Sequence, residues 1–196
     1  MRYIFSHLNK YGLRRAISSI VATLFAGLVF LISVPIQAEV LFDSTANPIF
    51  DLDPVSTGVK LNASFLTGDR PIRLTNLTLR WRRDLAQTGS IHILLLDDKN
   101  MHPGSLLADL ALVDARALPT SDQWLSIPIK NEQELTEKTR YWIEITATGP
   151  AGSMAYSREH GGQGVATESY LNMYGLHRNT ETGPYIFKLV GIENRP

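Results

Sequence analysis

No cysteine occurs among the 196 residues, so neither a disulfide nor a thiolate metal site holds the fold, and stability has to come from packing. Beyond the N-terminal segment the histidines are also sparse: His92, His102, His160 and His177 lie 10, 58 and 17 residues apart, which excludes an HExxH pair or a close local cluster. Residues 160–164 read His-Gly-Gly-Gln-Gly and resemble the oxyanion loops of esterases, whose free N–H groups stabilise negative charge. No G-x-S-x-G elbow follows, so the stretch is read as a glycine loop between two strands. An excess of positive charge is missing as well. Four of the 19 Lys and Arg residues (Arg2, Lys10, Arg14, Arg15) precede position 39, where no acid stands, so residues 39–196 carry 15 basic against 19 acidic groups. That balance excludes a partner bound through its phosphate backbone, and the one basic cluster, Arg80, Arg82 and Arg83, borders an apolar alternation as solvated outer-face residues do.

What is present begins with an export signal. A basic stretch ends at Arg14-Arg15, an apolar run covers residues 16–34, and Pro35-Ile36-Gln37-Ala38 precedes Glu39. Cleavage after Ala38 is expected, which makes residues 1–38 a signal peptide. Ile36 stands where a small residue is usual, and the uncharged run is long enough to approach a membrane span, so an uncleaved anchor is the alternative. Both readings place the remaining domain in the periplasm or outside the cell, with membrane contact only through the N-terminal segment. The Arg14-Arg15 pair supplies the basic end of the signal and has no further twin-arginine signature around it.

From residue 40 the apolar period is two. Ile72, Leu74, Leu77, Leu79 and Trp81 alternate with Arg73, Thr75, Thr78 and Arg80, and Asn76 breaks the phase as a bulge does. Ile91, Ile93 and Leu95 form a second alternation, Tyr141, Ile143 and Ile145 a third, and Tyr185, Phe187 and Leu189 a fourth, closed by Gly191. Shorter strands are expected at residues 40–42, 59–65, 106–113, 124–129, 153–157 and 169–174, with turns at Gly68, Pro71, Gly89, Pro103-Gly104, Gly149-Pro150 and Gly183-Pro184. No helical stripe of useful length interrupts them; residues 131–138 are the one helix-tolerant segment, and it is short. About nine strands with short connections predict an all-β, antiparallel sandwich or jelly roll forming a single domain over residues 39–196.

The order of several short motifs adds a family resemblance. Ala63-Ser64-Phe65-Leu66-Thr67-Gly68 is followed by residues 72–79 (Ile-Arg-Leu-Thr-Asn-Leu-Thr-Leu), the strand 91–96, Asp97-Asp98-Lys99-Asn100, Pro103-Gly104-Ser105-Leu106-Leu107-Ala108, then Leu135, Thr139, Arg140, Tyr141 and Trp142, and finally Gly183-Pro184-Tyr185-Ile186-Phe187. In that order, over residues 58–190, the chain resembles the exported bacterial domains called choice-of-anchor R. The resemblance implies an extracytoplasmic β-sandwich with no activity attached to the family as a whole. Members often end in a C-terminal sorting tail, which is missing after the last strand here; release, or retention by the N-terminal run, is the corresponding expectation.

The candidate sites are few. Exposed aromatics with polar neighbours suit the stacking of sugar rings, and Trp142, Tyr156, Arg158, Tyr170, Asn172, Tyr174 and His177 are the candidates for such a surface, although packing in the core or at the rim is the commoner role of aromatics in a sandwich of this size. Asp97, Asp98 and Asn100 offer hard oxygen ligands of the kind Ca²⁺ uses, without the EF-hand spacing or its glycine; a hairpin turn accounts for the same three residues. Glu144 alternates away from Tyr141 and Ile143 and is expected in solvent, and Glu159 with Glu168 flanks the glycine loop without forming a recognisable glycosidase pair. The composite expectation is a non-catalytic exported domain with a structural or interaction role at the envelope, meeting an unknown envelope or extracellular partner, with polysaccharide binding as the alternative and no cofactor. N-terminal sequencing of the exported protein should return Glu39 in the soluble fraction; an intact Met1 recovered with membranes would instead establish the anchored form.

Overall fold

The computed structural model describes residues 38–83, 88–130, 133–165, 170–172 and 175–193. The expected signal or anchor, residues 1–38, lies outside that set except for its last residue, and no described helix is long and apolar enough to cross a membrane. The described strands are β1 (Ala38–Asp43), β2 (Asp51–Val55), β3 (Leu61–Leu66), β4 (Ile72–Arg82), β5 (Ser90–Lys99), β6 (His102–Asp114), β7 (Gln123–Pro128), β8 (Glu134–Leu135), β9 (Arg140–Thr148), β10 (Gly152–Tyr156), β11 (Tyr170–Asn172), β12 (Leu176–Arg178) and β13 (Phe187–Glu193). They form two antiparallel sheets packed as a sandwich. One has seven strands, ordered β1-β13-β4-β10-β2 with β7 and β8 on the other edge of β4; the other has six, ordered β12-β11-β3-β9-β5-β6.

β4 shows how the sequence enforces this arrangement. Its alternation sends Ile72, Leu74, Leu77, Leu79 and Trp81 into the core, each nearly inaccessible, and leaves Arg73, Thr78 and Arg80 on the other face. The phase break is a bulge: Asn76 opposes Val190 while Leu74 opposes Gly191, so Thr75 has no counterpart on β13. The Thr75 hydroxyl donates to the Val190 carbonyl at 3.2 Å, and its carbonyl accepts from Ile129 N–H at 2.9 Å, so both oxygens of the extra residue have partners. Gly191 belongs to the same device. A Cβ there would lie 2.7 Å from the Ile72 side chain, so the glycine admits the bulge, and β13 runs on through it to Glu193 instead of ending there as the sequence suggested.

From the six-stranded sheet, Leu61, Ala63 and Phe65 of β3 and Ile143 and Ile145 of β9 meet the β4 row. Phe42 and Phe187 stack across the β1–β13 pair with ring centroids 4.1 Å apart. Each such side chain contributes about 1.5–3 kcal/mol on burial, which is how the fold dispenses with cross-links. Buried Ser44 closes this end, donating to the Tyr185 carbonyl at 2.7 Å and accepting from Phe187 N–H at 3.1 Å.

The sheet edges are blunted in different ways. β2 carries Pro54 and two aspartates, as an edge strand tolerates. β6 changes register against β5 three times, which breaks the regular row of backbone groups on its free side. β1 is covered by the loop at residues 160–164: Asp43 N–H donates to the Gln163 carbonyl at 2.8 Å, and Asn47 donates to the carbonyls of Glu159 and Gly161 at 3.1 and 2.9 Å. The loop is therefore pinned to β1, not a free connection. Gly164 sits at φ 73° with the Leu41 carbonyl oxygen 2.4 Å from where a Cβ would stand. Gly164→Ala should lower urea-unfolding stability by about 2 kcal/mol, from left-handed strain and displacement of the loop; an unchanged midpoint would show that the loop contact is not part of the folded unit.

Candidate functional site

The seven residues expected to form a ligand surface divide between the two sheets. Tyr156 ends β10 of the seven-stranded sheet, with Arg158 two residues on; Trp142, Tyr170, Asn172 and His177 belong to β9, β11, β11 and β12 of the six-stranded sheet. Tyr174 lies outside the described residues, as does Glu168. β11 pairs Leu171 with Ala63 and Asn172 with Asn62, and His177 is exposed on β12 opposite Leu171.

Trp142 corrects the expectation of an exposed aromatic. It does face away from the main core, but that outer face is covered: Trp142 is fully buried with Leu96, against Leu94 and Leu176. Its indole N–H donates to Asp98 Oδ1 at 2.8 Å, and Asp98 Oδ2 accepts from Met101 N–H at 3.1 Å. Asn100 and Met101 have φ of 55° and 65° and form the two-residue tip between the paired Lys99 and His102, the left-handed geometry of a tight hairpin. Asp97 Oδ1 accepts from Ser105 N–H across the same hairpin. The Asp-Asp-x-Asn run is thus engaged in its own turn, and the described residues contain no group of three or more His, Cys, Asp or Glu side chains placed to hold a metal ion.

Glu144 is the second correction. It is 4% exposed, not solvated, and lies with equally buried Asn62 in the lining of a groove of about 530 Å³ on the outer face of the six-stranded sheet. Lys60 reaches its two carboxylate oxygens at 3.0 and 3.3 Å. Period two says which residues share a face, not whether that face is covered.

Tyr156 and Arg158, by contrast, come together around a residue the sequence reading missed. Phe50 is 48% exposed, the Arg158 guanidinium sits 3.7 Å from its ring centroid, and the Tyr156 ring is tilted beside it at 5.7 Å. The backbone fixes the group: Phe50 N–H donates to the Tyr156 carbonyl at 2.9 Å, and Asp51 opposes Tyr156 in the β2–β10 ladder. Along β2 the inward positions grade from buried Val55 through half-buried Asp53 to exposed Asp51, so the ledge marks the rim where that face leaves the core. Neighbouring Ile49 is exposed too. Phe50 stood more than 100 positions from Tyr156 in sequence and outside any alternation; only the edge pairing joins them.

The charges on the ledge interact. Burial pushes the Asp53 carboxyl above its ordinary range, the Tyr185 hydroxyl donating at 3.0 Å opposes this, and the charge of Asp51 adds to it. Burial likewise raises the Tyr156 phenol, reinforced by Asp53 and Asp51 and offset by Arg158. A second exposed aromatic, Trp124 at 43%, stands apart on β7, with Arg80 5.2 Å from its ring and held by two hydrogen bonds to Asp122 of 2.7 and 2.9 Å.

No family model and no curated protein matches the chain. Among solved structures, the infectious bursal disease virus Gt strain is similar at 11% identity and a TM-score of 0.21 over 84% of this chain and 36% of that one. The chain spans about a third of that viral chain, and likeness at this level carries no functional argument.

A folded state that raises the Asp53 pKa holds its proton more tightly than the unfolded chain does. Its contribution is therefore most favourable below the ordinary carboxylate range and declines as pH rises through that range toward the raised value. Asp53→Asn keeps an acceptor for Tyr185 and removes the decline. The variant's urea midpoint should exceed the wild-type value at about pH 7 and converge on it near about pH 3; a pH-independent difference would show that Asp53 ionises as freely folded as unfolded.

Proposed function

We propose that the chain is an exported, non-catalytic β-sandwich that acts by contact at or outside the cell envelope, and that the polymer it contacts is a polysaccharide. The observation that carries this reading is the rim ledge: an exposed Phe50 ring with Tyr156 beside it, a guanidinium and two carboxylates at its margin. Apolar ring faces accept the C–H faces of a pyranose, while Asp51, Asp53 and Arg158 supply acceptors and donors that orient hydroxyls. The edge position suits a long polymer, which can pass along a rim without entering a closed pocket.

The non-catalytic part rests on chemistry. Asp51 and Asp53 are alternate residues of one strand on the same side of it, whereas a glycosidase places its two carboxyl groups on opposite sides of the scissile bond. The acidic balance of residues 39–196 supports a partner other than nucleic acid, and the basic-apolar N-terminal segment supports export. The order of motifs shared with the choice-of-anchor R domains agrees with an envelope role, and polysaccharide contact through Phe50 and Tyr156 gives that role a definite surface.

Affinity electrophoresis through gels containing neutral and acidic polysaccharides tests the reading. Wild-type protein should be retarded by at least one of them. Phe50→Ala should weaken that binding about tenfold, near 1.4 kcal/mol, with folding unchanged, and Tyr156→Ala should weaken it similarly while also lowering stability, because Tyr156 packs on the core. Trp124→Ala, on a separate strand, should bind as wild type. No retardation in any gel, or full retention by the Phe50 and Tyr156 variants, would overturn the proposal.

A further inference from the structure

The groove on the outer face of the six-stranded sheet lies apart from the ledge, on the other sheet, and is built on a different chemistry. Its lining combines the buried Glu144 carboxylate and Asn62 amide with Leu94, Leu96 and Leu106, and Lys60 stands at its margin. The β6 start, His102 to Gly104, forms part of the lining too, and the hairpin it belongs to is anchored through Asp98 to Trp142. One side of the groove is thus held in place by a partly buried hydrogen bond.

Glu144 is the unusual element. A carboxylate in the middle of a β-strand, 4% exposed, needs a cation or several donors close by. The cation it has is Lys60, within 3.3 Å of both oxygens, whose side chain is 63% exposed. A partner this exposed is weakly held, because water competes for the ammonium and the four-carbon stem is free to move. The groove therefore presents a fixed buried anion, a replaceable cation and aliphatic walls. Those three features together match one ligand class: an ammonium group carried on an alkyl stem, the anion taking the charge and the leucines taking the methylenes.

We infer that this groove binds a primary alkylammonium ligand, with Glu144 as the charge acceptor, Asn62 as a second acceptor, and Lys60 as an internal occupant that the ligand displaces. Lys60 then sets the affinity, since every binding event must first separate it from Glu144. Removing the lysine should strengthen binding, the opposite of what a purely structural ion pair predicts.

The test titrates the intact protein with cadaverine, followed by NMR shifts of the Asn62 side-chain amide and by thermal unfolding. Lys60→Met should bind cadaverine saturably and at least about tenfold more tightly than wild type. Glu144→Gln in the same background should abolish the saturable shift, and pentan-1-ol should produce none. A folded Lys60→Met with no saturable response would overturn the inference, as would equal binding by the Glu144→Gln variant. Lys60→Ser serves as a second truncation; if neither variant folds, Lys60 is a structural partner of Glu144 and the inference is likewise overturned. The ledge is untouched by these variants, so polysaccharide retardation in Lys60→Met reports separately on the rim.

Discussion

β9 is buried on both of its faces, and most of the molecule is arranged around that constraint. Tyr141, Ile143 and Ile145 fill the space between the sheets, as any sandwich strand would. Trp142 and Glu144, pointing the other way, are buried as well. Enclosing a tryptophan N–H or a carboxylate without partners is costly, since an unpaired buried donor costs about 1–3 kcal/mol and an unpaired charge more. The neighbouring strands supply the partners. Asp98 on β5 takes the indole hydrogen and also holds the hairpin tip, and Lys60, ahead of β3, takes the carboxylate. The left-handed tip at Asn100 and Met101 is thereby tied to the centre of the sheet.

The edges bear on why the proposed surfaces are a rim and a groove. Each edge named above carries an obstacle to strand addition: Pro54 on β2, the register changes of β6, the pinned glycine loop over β1. Such devices suppress indiscriminate pairing and leave side-chain surfaces to do the recognising. The rim ledge depends on this. Because β2 ends the sheet, Asp51 and the preceding Phe50 are exposed, where an interior strand would have covered them.

Where packing on a single face governed a segment, the sequence was readable. β4 is the clearest case, down to the bulge that Asn76 announced by interrupting the alternation. β2 was not readable, because Asp-Leu-Asp-Pro-Val has neither an apolar row nor strand-forming composition; it is a strand because β10 offers it a ladder, and edge positions tolerate proline. β8 was hidden in the helix-tolerant stretch at residues 131–138, where two residues pairing with Ile72 and Arg73 suffice to make it a strand. At the candidate sites the difficulty was distance along the chain. Tyr156 and Arg158 were visible as an aromatic beside a cation, but Phe50 joins them only through long-range pairing. Trp142 was misjudged because its cover, Leu176 with Leu96, comes from strands far from it in sequence.

The two surfaces place opposite demands on their acidic residues. At the rim, burial and the charge of Asp51 push the Asp53 carboxyl above its ordinary range, and the Tyr185 hydroxyl that donates to it works the other way. In the groove, Glu144 has a cation and no second acid among the residues of its lining. A hydroxyl-rich polymer asks for acceptors that tolerate neutral donors, and an ammonium asks for a localised charge away from water. On the proposed readings, one sheet rim and one sheet face thus carry two separate chemistries. Arg158 lies over Phe50, where the ring face holds the guanidinium in place.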